Sequence, residues 1–151
     1  MSSPSRSIHA QLLTALQEGK NRLSYLTAND WSLVVDRAKQ VSFKKDEVLV
    51  QQNRPSKILY VIAEGKVMVS VQGKSLARIG PGEICGEMAF LEASIPSATA
   101  TAEEPVQAFA IDWQTLTDLF ELFPHLASRF YRSLAVNLSR RLREQIVTKA
   151  R

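Results

Sequence analysis

The sequence predicts an α+β domain, an antiparallel, jelly-roll-like β-roll flanked by N-terminal helices and a long C-terminal helix. Three observations predict it. Apolar residues recur at helical spacing before residue 41 and again after residue 112. Between these segments, short β-branched and aromatic runs alternate with tight-turn signals. The total of 151 residues, 45% hydrophobic and 23% charged, suits one globular core without a second full domain. The expected boundaries are a helical extension over 1–20 and a domain over 21–151. Within that domain a helix is expected at 27–40, the roll at 41–112 and helices over 113–148.

In chain order, Ile8, Leu12, Leu13 and Leu16 share a helical face that Gly19 ends. Thr27 opens a T-x-x-D stretch resembling a capping box, followed by Trp31, Val34, Val35 and Ala38 on one face. The period then changes. VSFKKDEVLVQQ, KILYVIAEG, KVMVSVQG, KSLARIGPGE and QAFAIDW are strand-like and are separated by Lys-Asp, Glu-Gly, Gln-Gly and Gly-Pro-Gly. Closely spaced strands joined by tight turns make an antiparallel roll. Helical spacing returns with Trp113, Leu116, Leu119 and Phe120. Pro124 then opens a segment carrying Leu126, Phe130, Leu134, Leu138 and Leu142, each four apart, and then Ile146. Two uses of that stripe stay open: packing on its own roll, or pairing with the same helix of a second chain.

Charge is uneven. From Pro124 onward seven Lys/Arg face one acid, Glu144, whereas no Lys or Arg occurs between Ile79 and Ser128. That interval carries Glu83, Glu87, Glu92, Glu103, Glu104, Asp112, Asp118 and Glu121. A basic terminal helix suits an anionic partner or simple solvation. No apolar run reaches the roughly 18 residues of a membrane span and no signal-peptide block opens the chain, so a cytoplasmic location without membrane contact is expected. The single cysteine, Cys85, agrees with a reducing compartment.

Catalysis is poorly supplied. His9 and His125 lie outside the strands, which leaves no metal-ligand set within the roll. Cys85 has no neighbouring cation to activate it, and no Walker or Rossmann glycine pattern occurs. No enzymatic activity, metal or firm cofactor is therefore expected. The unusual segment is Gly80-Pro-Gly-Glu-Ile-Cys-Gly-Glu-Met-Ala-Phe-Leu-Glu-Ala-Ser-Ile-Pro-Ser-Ala-Thr-Ala-Thr-Ala102. Here a Gly-rich turn enters a short helix-like piece. Gly86 permits close approach of a ligand to backbone, the first helix amides suit an anion, and Glu87 suits a sugar hydroxyl. The plainer reading is a turn glycine followed by a helix-start acid.

At this segment the chain resembles the cyclic-nucleotide-binding domain family, which includes catabolite-activator-type regulators, kinase regulatory subunits and gated channels. The likeness runs from LSYLTANDWSLVVDRA through DEVLVQQNRPSKILYVIAEGKVMV and LARIGPGEICGEMAFLEASIPSATATA to LTDLFELFPHLASRFYRSLAVNLSRRLRE. Gly65, Gly80, Gly82, Gly86 and Glu87 stand at the family's turn glycines and Gly-Glu pair. The resemblance implies a phosphate-binding cassette formed by Gly86, Glu87, Met88, Ala89, Pro96, Ser97, Ala98 and Thr99. It makes Glu87 the ribose-hydroxyl partner and a cyclic nucleotide the candidate ligand.

Two departures matter. The family's Pro-Arg-Ala-Ala-Thr-like run reads Ile95-Pro-Ser-Ala-Thr99 here, so Pro96 or Ser97 stands where an Arg would pair with the cyclic phosphate. Cyclic AMP and cyclic GMP are accordingly expected to bind weakly or not at all, unless Arg54, Lys57 or Arg78 substitutes. The family's transcription regulators also follow the long helix with a helix-turn-helix, whereas this chain ends nine residues after Leu142, so no sequence-specific DNA reading is expected. Two functions remain. One is a non-enzymatic sensor that signals a small anionic ligand through its terminal helix. The other is a degenerate domain that binds no cyclic nucleotide and acts by dimerisation or docking to a protein partner. Leu134, Leu138 and Leu142 are expected to extend past the roll into a homodimer seam, with Arg140, Arg141 and Arg143 at its rim.

Overall fold

A computed structural model of the chain describes residues 23–150, and the helix expected over 8–20 lies outside them. The first described helix, α1 (Ala28–Val35), starts at a reciprocal cap: the Thr27 hydroxyl accepts from the Asp30 amide at 3.1 Å, and the Asp30 carboxylate accepts from the Thr27 amide at 3.0 Å. The helix stops at Val35, earlier than the expected 40. Its apolar spacing continues to Ala38, which packs on the core from a turn. Beyond it, Lys39 already pairs with Ala110 in a strand ladder, and ladder pairing overrides the helical pattern.

The strands are β1 (Lys39–Phe43), β2 (Val48–Val50), β3 (Ile58–Glu64), β4 (Val67–Val71), β5 (Lys74–Ile79), β6 (Ile84–Cys85), β7 (Thr99–Ala102) and β8 (Val106–Asp112). They form two antiparallel four-stranded sheets, ordered β1-β8-β3-β6 and β2-β7-β4-β5. In the first sheet Leu59 opposes Ile111 and Val61 opposes Phe109; in the second Val67 opposes Ala102 and Val69 opposes Ala100. The β4–β5 hairpin turns through Gln72 and Gly73 at φ 50° and 79°, the pair of left-handed residues that matches strand twist in a two-residue turn. Strand β5 is a sheet edge, exposed along most of its length.

Strand β3 is buried on both faces, and the two faces belong to different cores. Tyr60 and Ile62 join Val67, Ile79, Cys85, Ala100 and Ala108 inside the roll. Leu59 and Val61 join Phe109 and Ile111 against the helices. Those helices are α1, α2 (Glu87–Glu92), α3 (Trp113–Leu122) and α4 (Pro124–Ala150). Asp112 caps α3 by accepting from the Gln114 amide at 2.8 Å, and Pro124 opens α4, where its missing N–H costs nothing.

The proximal half of α4 is fixed. Leu126, Phe130 and Leu134 are buried in the domain's own core. Arg129 donates two hydrogen bonds, of 2.7 and 2.8 Å, to the buried Asp30 carboxylate, and the Tyr25 amide donates to Ser133 Oγ at 3.0 Å. The expectation that Leu134 and Leu138 extend past the roll is thereby corrected. Leu134 is core and Leu138 is partly covered, whereas Leu142, Ile146 and Val147 are 50–59% exposed. The physical reason is geometric. A step of four residues turns about 40° beyond one helical turn, so a strict four-residue repeat winds off the domain-facing side.

Asp30 serves both the α1 cap and the α4 pair, so its loss costs more than loss of the cap alone. Thr27→Ala is expected to destabilise the fold by about 1 kcal/mol. Asp30→Ala should destabilise it further, because Arg129 also loses its partner. Arg129 holds the Asp30 carboxyl below the usual carboxylate range, so its contribution is present above that range and is lost as pH falls through the lowered value. Urea denaturation of both variants and wild type, at neutral pH and at about pH 3, checks the order and its convergence in acid.

Candidate functional site

The site begins where β6 ends. Strand β6 is two residues long, with Ile84 turned to the helices and Cys85 to the roll. The next residue, Gly86, caps α2 at φ 94°. A Cβ there would be strained by that backbone and would meet the Ile58 carbonyl oxygen at 3.1 Å, so the turn needs glycine. Helix α2 lasts six residues before Ala93 leaves it at φ 50°. Pro96 then accepts a hydrogen bond from the Asn53 amide at 2.9 Å, and Thr99 Oγ1 accepts one from the Gln52 amide at 3.0 Å. These two bonds pin the returning chain to the loop after β2, where Thr99 starts β7.

Between the outgoing and returning segments lies a cavity of about 110 Å³. Its floor is apolar, made by Val69, Ala77, Ile79, Cys85 and Ala100. Its rim contains all eight residues singled out from sequence: Gly86, Glu87, Met88 and Ala89 on one side, and Pro96, Ser97, Ala98 and Thr99 on the other. Pro96 is buried and Ser97 exposed, so neither supplies a charge. Arg54, Lys57 and Arg78 do not line the cavity, and Arg78 instead pairs with Glu103 at 3.0 Å.

The cation at the cavity is Arg141 of α4, which sequence reasoning assigned to a dimer rim. Its Nη1 stands 3.8 Å from Glu87 Oε1, an ion-pair distance too long for a hydrogen bond. The signal was present in the spacing. Arg141 follows Leu134 by seven residues and Phe130 by eleven, nearly whole numbers of turns, and so shares their domain-facing side. Counting in steps of four pointed to Leu142 instead. A second link joins α2 to α4: the Phe90 ring lies nearly parallel to Tyr131 at 6.3 Å and edge-on to Phe130 at 6.2 Å.

Burial dominates the electrostatics of this corner. It raises the Glu87 carboxyl above its ordinary value; Glu83 adds to the rise, while the backbone amide and Arg141 oppose it. Burial also pushes the Cys85 thiol far up, and the nearby Glu87 charge adds to that, so Cys85 stays protonated and unreactive. A carboxyl with a raised folded value holds a proton that the unfolded chain has already released. Its contribution to stability therefore falls as pH rises from the ordinary carboxylate value to the raised one. Glu87→Gln removes that slope. Its stability relative to wild type is expected to improve with pH across the mildly acidic window and then level off. Denaturation midpoints from about pH 4 to about 8 check this; a constant difference would show that the backbone amide and Arg141 cancel the effect of burial, and a reversed trend that they outweigh it.

Comparison with known proteins places this geometry. The sequence profile of the cyclic nucleotide-binding domain family matches residues 40–122, more than half of the chain. Cyclic GMP-binding protein C of Dictyostelium discoideum is 28% identical over 123 residues, covering 78% of this chain and 5% of that protein. The cyclic AMP receptor protein of Thermus thermophilus is 37% identical over 91 residues, covering 57% of this chain and 40% of that one. This chain therefore spans less than half the length of these two relatives. A crystal structure of a cyclic nucleotide-binding domain from Methylobacillus flagellatus superposes with a TM-score of 0.76 at 19% identity, covering 99% of this chain and 87% of that one. The fold agrees with the sequence match, and the chain belongs to the cyclic nucleotide-binding domain family.

Proposed function

We propose that this chain is a non-enzymatic sensor module that takes a small anionic ligand, a cyclic nucleotide, into the roll cavity and reports it through α4. The observation that carries this reading is the composition of the cavity wall: the cassette supplies both rims and α4 supplies Arg141. An apolar floor beneath a polar rim suits a ligand with a flat apolar face and a hydroxylated, charged edge. Glu87 is the acceptor for a ligand hydroxyl, and Ser97 and Thr99 line the same cavity. At about 110 Å³ the cavity is smaller than the roughly 300–1,000 Å³ of most ligand pockets, so a nucleotide must displace part of the wall. The returning segment from Pro96 to β7 is held to the loop after β2 by the Asn53 amide on the Pro96 carbonyl and the Gln52 amide on Thr99 Oγ1, whereas Arg141 is a side chain from a separate element. Displacement therefore falls on α4.

A second reading, a domain that binds no cyclic nucleotide and acts by self-association, is favoured by a different observation. The cassette has no cation of its own, while Leu142, Ile146 and Val147 are exposed on distal α4. An apolar stripe of this kind suits a seam with a second copy. The two readings exclude each other on nucleotide binding, whereas self-association through distal α4 is compatible with either.

Calorimetric titration with cyclic AMP, cyclic GMP and a cyclic dinucleotide tests the sensor reading. Saturable binding of a cyclic mononucleotide in about the micromolar range is expected. Silence across the panel would leave self-association alone. Sedimentation at several concentrations tests the seam: the wild type is expected to dimerise and Leu142→Asp to remain monomeric, because its carboxylates would be buried in the seam. Leu138 is the poorer choice of variant, since it already packs partly on its own domain.

A further inference from the structure

We infer that Arg141 of α4 is the phosphate partner of the cavity, and that its contact with Glu87 is a placeholder which the ligand's phosphodiester replaces. This rests on the sensor reading above and adds the residue that makes an acidic cassette competent for an anion. Among the described residues that line the cavity Arg141 is the one cation, and it is joined there by Glu87, whose charge opposes an entering phosphate. An anion entering beside a buried carboxylate without a cation would be both desolvated and repelled. Arg141 removes that conflict. Its guanidinium lies 3.8 Å from Glu87, too far for a hydrogen bond, and its side chain is 38% exposed, so no hydrogen bond to Glu87 has to break for it to meet a ligand.

The exchange also suits Glu87. Its carboxylate is 12% exposed, and it trades a loose ion pair for a hydrogen bond donated by the ligand's one free ribose hydroxyl. The phosphodiester brings a second negative charge, which Arg141 meets while Glu87 keeps only hydrogen bonds, and a fork of guanidinium donors fits two phosphate oxygens. Because Arg141 lies just before exposed Leu142 on the same helix, occupancy of the cavity and the position of distal α4 become one equilibrium.

The test is titration of full-length wild type, Arg141→Gln, Arg141→Lys and the double variant Arg141→Gln with Ser97→Arg, each against cyclic AMP and phosphate-free adenosine. Circular dichroism confirms that each variant is folded. Arg141→Gln is expected to weaken cyclic AMP binding by about 10- to 100-fold, the range for losing a charge-assisted pair, and to leave adenosine binding unchanged. Arg141→Lys is expected to fall between the two, and Ser97→Arg to restore cyclic AMP binding by placing a cation on the cassette side of the same cavity. Equal binding of cyclic AMP by wild type and Arg141→Gln would overturn this inference and leave the sensor reading standing. Equal weakening for adenosine and cyclic AMP would also overturn it, by making Arg141 a structural residue. Failure of wild type to bind any nucleotide would overturn the sensor reading and this inference together.

Discussion

The first sheet, β1-β8-β3-β6, is dry on both faces along its central strands, and the rest of the domain follows from that constraint. Strand β3 sends Tyr60 and Ile62 into the roll and Leu59 and Val61 toward the helices, and β8 does the same with Ala108 and Phe109. A sheet of this kind needs cover on both sides. The second sheet covers one face and the helices cover the other. A shift of one residue in β3 register would exchange the two sets of side chains and fill the roll with the wrong volumes. The cavity inherits this rigidity, because Cys85 and Ala100 in its floor belong to the same ladders that hold the sheets.

Much of this arrangement was legible in the sequence because the signals are local. The Thr27–Asp30 cap, the Gln72–Gly73 turn, the Gly86 bend and Pro124 at the start of α4 each act through neighbours in the chain, and sequence spacing reports neighbours well. Strand β7 was harder to see. Thr-Ala-Thr-Ala has little apolar bulk, and it is a strand because β2 and β4 flank it and small residues fit between them. The end of α1 was misplaced for a similar reason, since the pairing of Lys39 with Ala110 spans much of the chain. The eight rim residues were legible together through resemblance and glycine spacing. Arg141 was not, because its place at the rim depends on the exact winding of α4, and only the buried positions Phe130 and Leu134 reveal that phase.

Helix α4 is two mechanical parts joined end to end. The proximal part is clamped by Arg129 on Asp30, by Ser133 on Tyr25 and by three buried apolar residues. The distal part exposes Leu142, Ile146 and Val147. Arg141 stands near the junction. On the proposed sensor reading, whatever holds the distal part, a second copy or another protein, sets how often Arg141 faces the cavity. Linkage makes the effect mutual: a contact that changes ligand affinity is itself changed by the ligand through the same factor. Phe90, packed on Phe130 and Tyr131, gives α2 a second hold on the clamped part, so α2 and proximal α4 form one rigid corner.

The exposed edge at β5 has a consequence for how copies of this chain meet. An open sheet edge offers unpaired backbone donors and acceptors to any other strand, and stacking of rolls edge to edge is the usual hazard. Here Lys74 and Arg78 lie on that edge strand, and the Arg78 side chain is 68% exposed while it pairs with Glu103. Two such edges brought together would set cations against cations and would strip water from them. Among the described residues, the strand thus discourages fibre-like growth without proline or a covering loop. Lateral addition of rolls is suppressed, and crowded solutions of the domain should stay dispersed as far as the sheets are concerned.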